Sequence, residues 1–173
     1  MTTTSKRIFL GFSLTEQQTS SVVAIQQQLP PEVRLVPAAN LHMTLAFLGA
    51  ATTKQMQDLI CQVDQLNKPQ FSVTLDKIAH WQKPKILCLN GAATDVNLLK
   101  LAADAQSIAA KLELHCSEYS YNPHVTLSRK AKQAVEVVNY QPITLQPTKL
   151  LLFESYPGKN GVEYPSLHQW QLD

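Results

Sequence analysis

The chain has 173 residues, with 15 basic against 13 acidic side chains, a net charge of +2, and 45% hydrophobic and 16% charged residues. Disorder is excluded, because a disordered chain would be less apolar and carry more net charge. So is the wrapping of duplex nucleic acid by bulk electrostatics, although a local basic pocket for one phosphate remains open.

The length suits one domain, or two small lobes around a shared core, and we read residues 1–173 as a single bilobal unit. Much of the surface polarity comes from 17 glutamines, scattered singly or in short groups within helical patterns rather than in a tract. The three cysteines, Cys61, Cys88 and Cys116, are odd in number and lack C-x-x-C spacing. That argues against a disulfide framework and a structural zinc site, and the expectation is buried thiols in a reducing compartment. No run approaches the roughly 20 apolar residues of a membrane helix. The opening Met1-Thr-Thr-Thr-Ser-Lys-Arg7 leads directly into an apolar strand, without the features of a signal peptide. The expected state is a cytoplasmic monomer with no membrane partner.

In chain order, residues 7–14 are short, apolar and β-prone, and read as a strand. Thr15 is a candidate N-cap for a helix over 15–29, stopped by Pro30-Pro31. A loop through Pro37 leads to a strand over 41–48, closed by Gly49. A helix over 53–66 places Met56, Leu59, Ile60 and Val63 on one stripe. Strands are predicted over 71–78 and 86–89, then the longest helix over 95–112. Further strands are predicted over 125–128, 144–153 and 167–172. Helices and strands are interspersed, with no G-x-G-x-x-G and no P-loop. The predicted class is α+β: two antiparallel sheets with flanking helices around a central cleft, arranged as a pseudo-twofold repeat.

The informative feature is that repeat. Leu41-His42-Met43-Thr44-Leu45 recurs as Pro123-His124-Val125-Thr126-Leu127. Two of five histidines having Thr at +2 and Leu at +3 would arise in a shuffled chain on the order of once in a thousand. On a strand, positions i and i+2 share a face. His42 therefore projects beside Thr44 and His124 beside Thr126, while Met43, Leu45, Val125 and Leu127 point into a core. Two such pairs facing each other would enclose a small anion. The hydroxyls would donate to phosphate oxygens. One imidazole would take a proton from an attacking water and the other would give a proton to the leaving oxygen. Either motif alone reads more simply as a half-buried histidine next to a surface threonine; the pair reverses that. A zinc site would need a third nearby ligand, and none is spaced for it, so no metal and no cofactor are expected.

With these residues the sequence resembles the 2H phosphoesterase superfamily, named for its two H-x-T-x motifs, and most closely the RNA 2′,3′-cyclic phosphodiesterases, also called 2′-5′ RNA ligases. The likeness covers nearly the whole chain, through Arg7-Ile-Phe-Leu10, Asn40-Leu-His-Met-Thr-Leu-Ala-Phe-Leu-Gly49 and Asn122-Pro-His-Val-Thr-Leu-Ser-Arg129. The resemblance implies a bilobal α+β fold with the site in the cleft between lobes. It implies hydrolysis of 2′,3′-cyclic phosphate ends of RNA or nucleotides to 2′-phosphates, with reverse 2′-5′ ligation by the same groups. It implies His42 as general acid toward the 3′-oxygen, His124 as general base for water, and Thr44 and Thr126 as phosphate ligands. The sequence itself leaves the two histidines interchangeable. Arg129 matches a family position that helps to bind phosphate, where a guanidinium would stabilise developing charge. Simple alternation would turn Arg129 away from His124, so it reaches the site only if the strand ends or bulges near Ser128.

Two other functions fit the same residues: a 2H phosphodiesterase acting on 2′-5′ oligoadenylate or cyclic ADP-ribose phosphate, and a nucleotide-binding module without turnover. Among the remaining candidates, Phe9 and Phe47 read as core, His80 as structural, His115 and His168 as surface residues, and Tyr121 as a candidate base-stacking side chain.

Overall fold

The computed structural model describes residues 4–137 and 139–173. The class is α+β, as expected. The first strand, β1 (Ser5–Ser13), leads to α1 (Glu16–Gln26). Thr15 caps this helix: its hydroxyl accepts from the Gln18 amide, and the Gln18 side chain accepts from the Thr15 amide. The same reciprocal box, made by Thr52 and Gln55, starts α2 (Thr53–Asp64). Such a cap stabilises a helix by about 1 kcal/mol. Leu59 and Val63 of the α2 stripe are fully buried, with Met56 and Ile60 packed at its margin. The third helix, α3 (Val96–Lys111), starts at Asp95, whose carboxylate accepts from the Asn97 and Ser72 amides. It buries Leu98, Leu101, Ala102, Ala105, Ile108 and Ala109.

The loop through Pro37 holds two elements that periodicity does not predict: a two-residue strand, β2 (Arg34–Leu35), and a single 3₁₀ turn, Ala38–Asn40. The first motif strand, β3 (His42–Thr52), does not end at Gly49 but continues to Thr52. Gly49 takes φ of +73°, which a side chain would strain, and the ladder shifts register there. The predicted strand over 71–78 divides at Asp76 into β4 (Val73–Leu75) and β5 (Lys77–Trp81), which belong to different sheets. After β6 (Ile86–Asn90) and α3 comes the second motif strand, β7 (His124–Arg129). The stretch 144–153 also divides, at Pro147, into β8 (Ile143–Leu145) and β9 (Lys149–Glu154). A hairpin of β10 (Tyr156–Gly158) and β11 (Gly161–Glu163) precedes the last strand, β12 (Ser166–Gln171).

Two antiparallel half-sheets meet at a seam. One runs β12-β9-β1-β3, and the other runs β7-β6-β5 with β2 on the seam edge of β7, past the start of β3. Their only shared ladder position is Met43 opposite Val125. Extending this antiparallel register by one residue sets His42 across from Thr126 and Thr44 across from His124. The local twofold axis of the repeat therefore passes between Met43 and Val125, both wholly buried. A separate ladder joins β4 to β8, and the Thr74 and Thr144 hydroxyls meet at 2.9 Å.

Two features hold the seam. Gly11 lies opposite Thr44, and a Cβ there would fall 2.8 Å from the Met43 carbonyl oxygen, so β1 can back the first motif only without a side chain. Gln26, buried at the end of α1, donates through Nε2 to the carbonyls of Val36 and Leu127, each at 2.9 Å. The Val36 amide donates to the same Leu127 oxygen at 3.0 Å. The segment leading into the first motif is thus tied to the second.

Of the three thiols, only Cys88 is buried, and its burial pushes the pKa up to about 12; Cys61 and Cys116 are exposed, contrary to expectation. Among the described residues no helix is long and apolar enough to cross a membrane.

Candidate active site

Both motifs use the same local device. In each, the histidine Nδ1 donates to the backbone carbonyl of the asparagine two residues before it: His42 to Asn40 at 2.7 Å, and His124 to Asn122 at 2.9 Å. A carbonyl can only accept, so Nδ1 carries the proton in each ring. Nε2 is left as the working nitrogen of both neutral imidazoles. The asparagine at −2 is thus part of the repeat, a third shared position that the H-x-T-L count overlooks.

The four motif residues His42, Thr44, His124 and Thr126 are all half-buried, alternating with buried Met43, Leu45, Val125 and Leu127. They share one face of the seam, as the spacing predicts. The Thr44 hydroxyl lies 3.0 Å from His42 Nε2, and that nitrogen accepts from it in the neutral ring. At β6, Asn90 stands opposite His124 and Cys88 opposite Thr126. Asn90 shares the face of His124, and its buried Oδ1 has no protein hydrogen-bond partner. Sequence reasoning does not single it out.

The surroundings of the two imidazoles differ. His42 sits in an aromatic shell, with Phe9 and Tyr164 at 5.0 Å between ring centroids and Phe153 at 6.2 Å. His124 meets Trp81 at 4.6 Å, edge to face, and opens onto a cavity of about 540 Å³ beside Thr44, Phe47, Tyr119 and Tyr121. Burial lowers the His42 pKa below its ordinary 6.5; the Arg129 and His124 charges lower it further, against a raising effect of the Asn40 carbonyl that is smaller than that of burial. For His124, burial also lowers the pKa, and the Asn122 carbonyl partly offsets this.

Arg129 reaches the site by the route that alternation alone forbids. Cys88 pairs with Thr126 and Leu87 with Ser128, leaving Leu127 as the extra residue of a β-bulge. Past the bulge the side-chain phase is inverted, so Ser128 is buried and Arg129 turns to the histidine face. Its Nη2 donates to the Tyr164 hydroxyl at 3.3 Å, and Tyr164 packs edge-on against His42. Tyr164, delivered by the β10–β11 hairpin, carries no local sequence signal.

Several weaker expectations change. Phe47 is 37% exposed rather than core, with the Arg7 guanidinium 5.0 Å above its ring. Phe9 is core, as expected, and also backs His42. Tyr121 lines the larger cavity, but its hydroxyl donates to the Thr44 carbonyl at 2.8 Å, and burial raises its pKa. Its polar end is therefore engaged in holding the first motif. His80 bonds the Ala131 carbonyl at 2.8 Å in the structural role expected, and His115 is on the surface. His168 is half-buried against Trp170.

Residues 13–88 match the family described as LigT like Phosphoesterase. The chain is 28% identical to the RNA 2′,3′-cyclic phosphodiesterase of Escherichia coli strain K12, covering 96% of this chain and 97% of that one. It is 22% identical to the Methanocaldococcus jannaschii protein of the same name, over 95% and 99% of the two chains. The crystal structure of E. coli LigT complexed with 3′-AMP superposes with a TM-score of 0.89 at 28% identity, covering 98% and 99% of the chains. A Thermus thermophilus protein, at 21% identity, shares the fold with a TM-score of 0.78 over 96% and 97% of the chains. With both H-x-T motifs on one face of the seam, the chain is similar along nearly its whole length to the LigT phosphoesterases, and residues 13–88 carry the match to that family's model.

Proposed function

We propose that this protein is an RNA 2′,3′-cyclic phosphodiesterase that opens the terminal cyclic phosphate of RNA or nucleotides to a 2′-phosphate, using its two histidines as acid and base. The observation that carries the reading is the seam register. It sets each histidine across from the other motif's threonine and presents both working nitrogens, Nε2, from rings held by the same backbone bond. A phosphate between the pairs would take hydrogen bonds from Thr44 and Thr126, with an imidazole on either side of phosphorus. His124, beside the larger cavity, takes the proton of the attacking water. His42 returns a proton to the departing 3′-oxygen. Arg129 lies on the His42 side and stabilises charge on the non-bridging oxygens. Its charge disfavours protonated His42 in the free enzyme; the bound phosphate anion offsets that charge and lets His42 take up its proton. With a 5′-hydroxyl in place of the attacking water, the same groups would join it to the cyclic end through a 2′-5′ bond, the 3′-oxygen leaving as before.

The whole of residues 1–173 acts as one bilobal unit, since each half-sheet contributes one motif. The site is complete within a single chain, which fits action as a monomer, and exposed Cys61 and Cys116 fit the reducing cytoplasm. The test is incubation with adenosine 2′,3′-cyclic phosphate and a short RNA with a 2′,3′-cyclic end, with EDTA present, and product identification by phosphorus NMR. We expect 2′-phosphate. A 3′-phosphate would keep the histidine pair but overturn the assigned geometry of acid and base, since the 2′-oxygen would then be the leaving group, and no product from either substrate would overturn the activity.

A further inference from the structure

Beyond Arg129 the seam continues into a feature that hydrolysis of one phosphate does not require. The short strand β2 pairs with β7 so that Arg34 lies directly opposite Arg129. Side chains opposite each other on adjacent strands project to the same side with their Cβ atoms about 5 Å apart, and like charges so placed repel. Among the described residues no carboxylate lies within ion-pair distance of either arginine. The two guanidiniums line a cavity of about 350 Å³ with Asn40, Asn160, Val162 and Tyr164. Its wall is fixed to the first motif, because Asn40 Nδ2 donates to the Val162 carbonyl at 2.8 Å. This cavity and the larger one beside His124 have no lining residue in common, so the histidine pair sits between two openings.

We infer that the Arg34 side of this cavity is a second phosphate subsite, which takes the phosphodiester joining the terminal nucleotide of the substrate to its neighbour. This rests on the proposed phosphodiesterase activity and narrows its substrate to the end of a polynucleotide. Position carries the argument. Arg129 is beside Tyr164 and His42, at the reacting phosphate. Arg34 is carried by a different strand, β2, with its Cβ about 5 Å from that of Arg129, so an anion held by Arg34 lies next to the one held by Arg129 and apart from it. An unneutralised arginine pair is costly alone and favourable around an anion, and a planar guanidinium suits a diester oxygen pair. The small net charge of +2 fits a grip confined to one end.

The test compares kcat/KM for the diadenosine substrate ending in 2′,3′-cyclic phosphate with that for adenosine 2′,3′-cyclic phosphate. Wild type should favour the dinucleotide by about tenfold, the order expected of one charge-assisted contact in a partly open cavity. Arg34→Gln should bring that ratio close to one, Arg34→Lys should leave part of it, and added salt should compress it in wild type alone. Calorimetric titration of the two products, diadenosine 2′-phosphate and adenosine 2′-phosphate, should give the same ratios as affinities. This binding comparison decides the inference even if neither cyclic substrate turns over, a result that would overturn the activity separately. A wild-type ratio near one, an unchanged ratio in Arg34→Gln, or an equal fall on both substrates and both products would overturn the second subsite. Thermal melting of each variant should match wild type, because Arg34 lies at the surface on a two-residue edge strand.

Discussion

The two halves of the site start from the same H-x-T-L pattern and end in different surroundings. At the first motif, aromatic rings enclose the imidazole, a threonine hydroxyl holds Nε2, and an arginine lies nearby. At the second, a single tryptophan edge and an open cavity face the ring. The backbone device is shared and the packing is not. The motif therefore determines which atom is presented, and the neighbours determine how readily that atom holds a proton. Symmetry of sequence has become asymmetry of surroundings without any change in the repeated residues.

The largest effect that would break this comparison is loss of either imidazole. His42→Ala and His124→Ala should each reduce kcat by about 10³-fold, within the range for a removed general acid or base, with the folded state kept in both. Wild-type turnover in either variant would end the two-histidine account. Arg129→Ala should come next, at about 10²-fold in kcat, as for removal of one transition-state donor. Arg129→Lys should recover only part of it, since a point charge cannot keep both the Tyr164 contact and a forked grip on phosphate.

The pH profile sharpens the asymmetry. Both histidines have pKa values below the ordinary 6.5. kcat/KM should therefore be bell-shaped with its maximum on the acid side of 6.5, and a profile flat from pH 5 to 9 would contradict the acid–base pair. Stability has a definite sign. The folded state binds these protons less readily than the unfolded state, so the penalty is absent above 6.5 and grows as pH falls through the depressed values. The melting temperature should drop between neutral pH and pH 5, and His42→Ala should flatten that drop. The smallest effect is at the shell itself. Tyr164→Phe keeps the ring against His42 and removes the acceptor of Arg129, so kcat/KM should fall by only about threefold to tenfold, in line with a single hydrogen bond. An equal loss in Arg129→Ala and in the double variant would show that the two act as one unit.

Much of this arrangement is legible in the sequence because it rests on periodicity. The alternation of His, Met and Thr predicts the shared face, and two caps of the T-x-x-Q type mark helix starts, although only Thr15 stands out as one before the fold is known. The errors have physical causes. Alternation runs on unbroken through Asp76, yet the chain leaves one sheet for another there. Residues 144–153 remain β-prone on both sides of Pro147, yet the strand ends where an amide is missing. The bulge at Leu127 leaves no trace in the letters His-Val-Thr-Leu-Ser, because it is defined by the partner strand. The apolar neighbours of Phe47 point to the core, but the register shifts along β3 turn it outward beneath Arg7. Tyr164 reaches His42 from a polar hairpin whose short strands have no apolar period to announce them.

The buried amide of Gln26 has a consequence for timing. It bonds carbonyls on segments that differ greatly in distance along the chain, with Leu127 101 positions away. Contacts of that range form only after the costly closure of a long loop, so the seam should be among the late events of folding. Helices with their own caps can appear early, before any catalytic geometry exists. In a refolding experiment, far-ultraviolet dichroism should recover ahead of activity, and Gln26→Leu should widen the interval between the two. During synthesis the same logic keeps the growing chain inert: at about 5–20 residues per second, some seconds separate emergence of the first histidine from that of the second. The two-histidine site thus assembles only once most of the chain has been made.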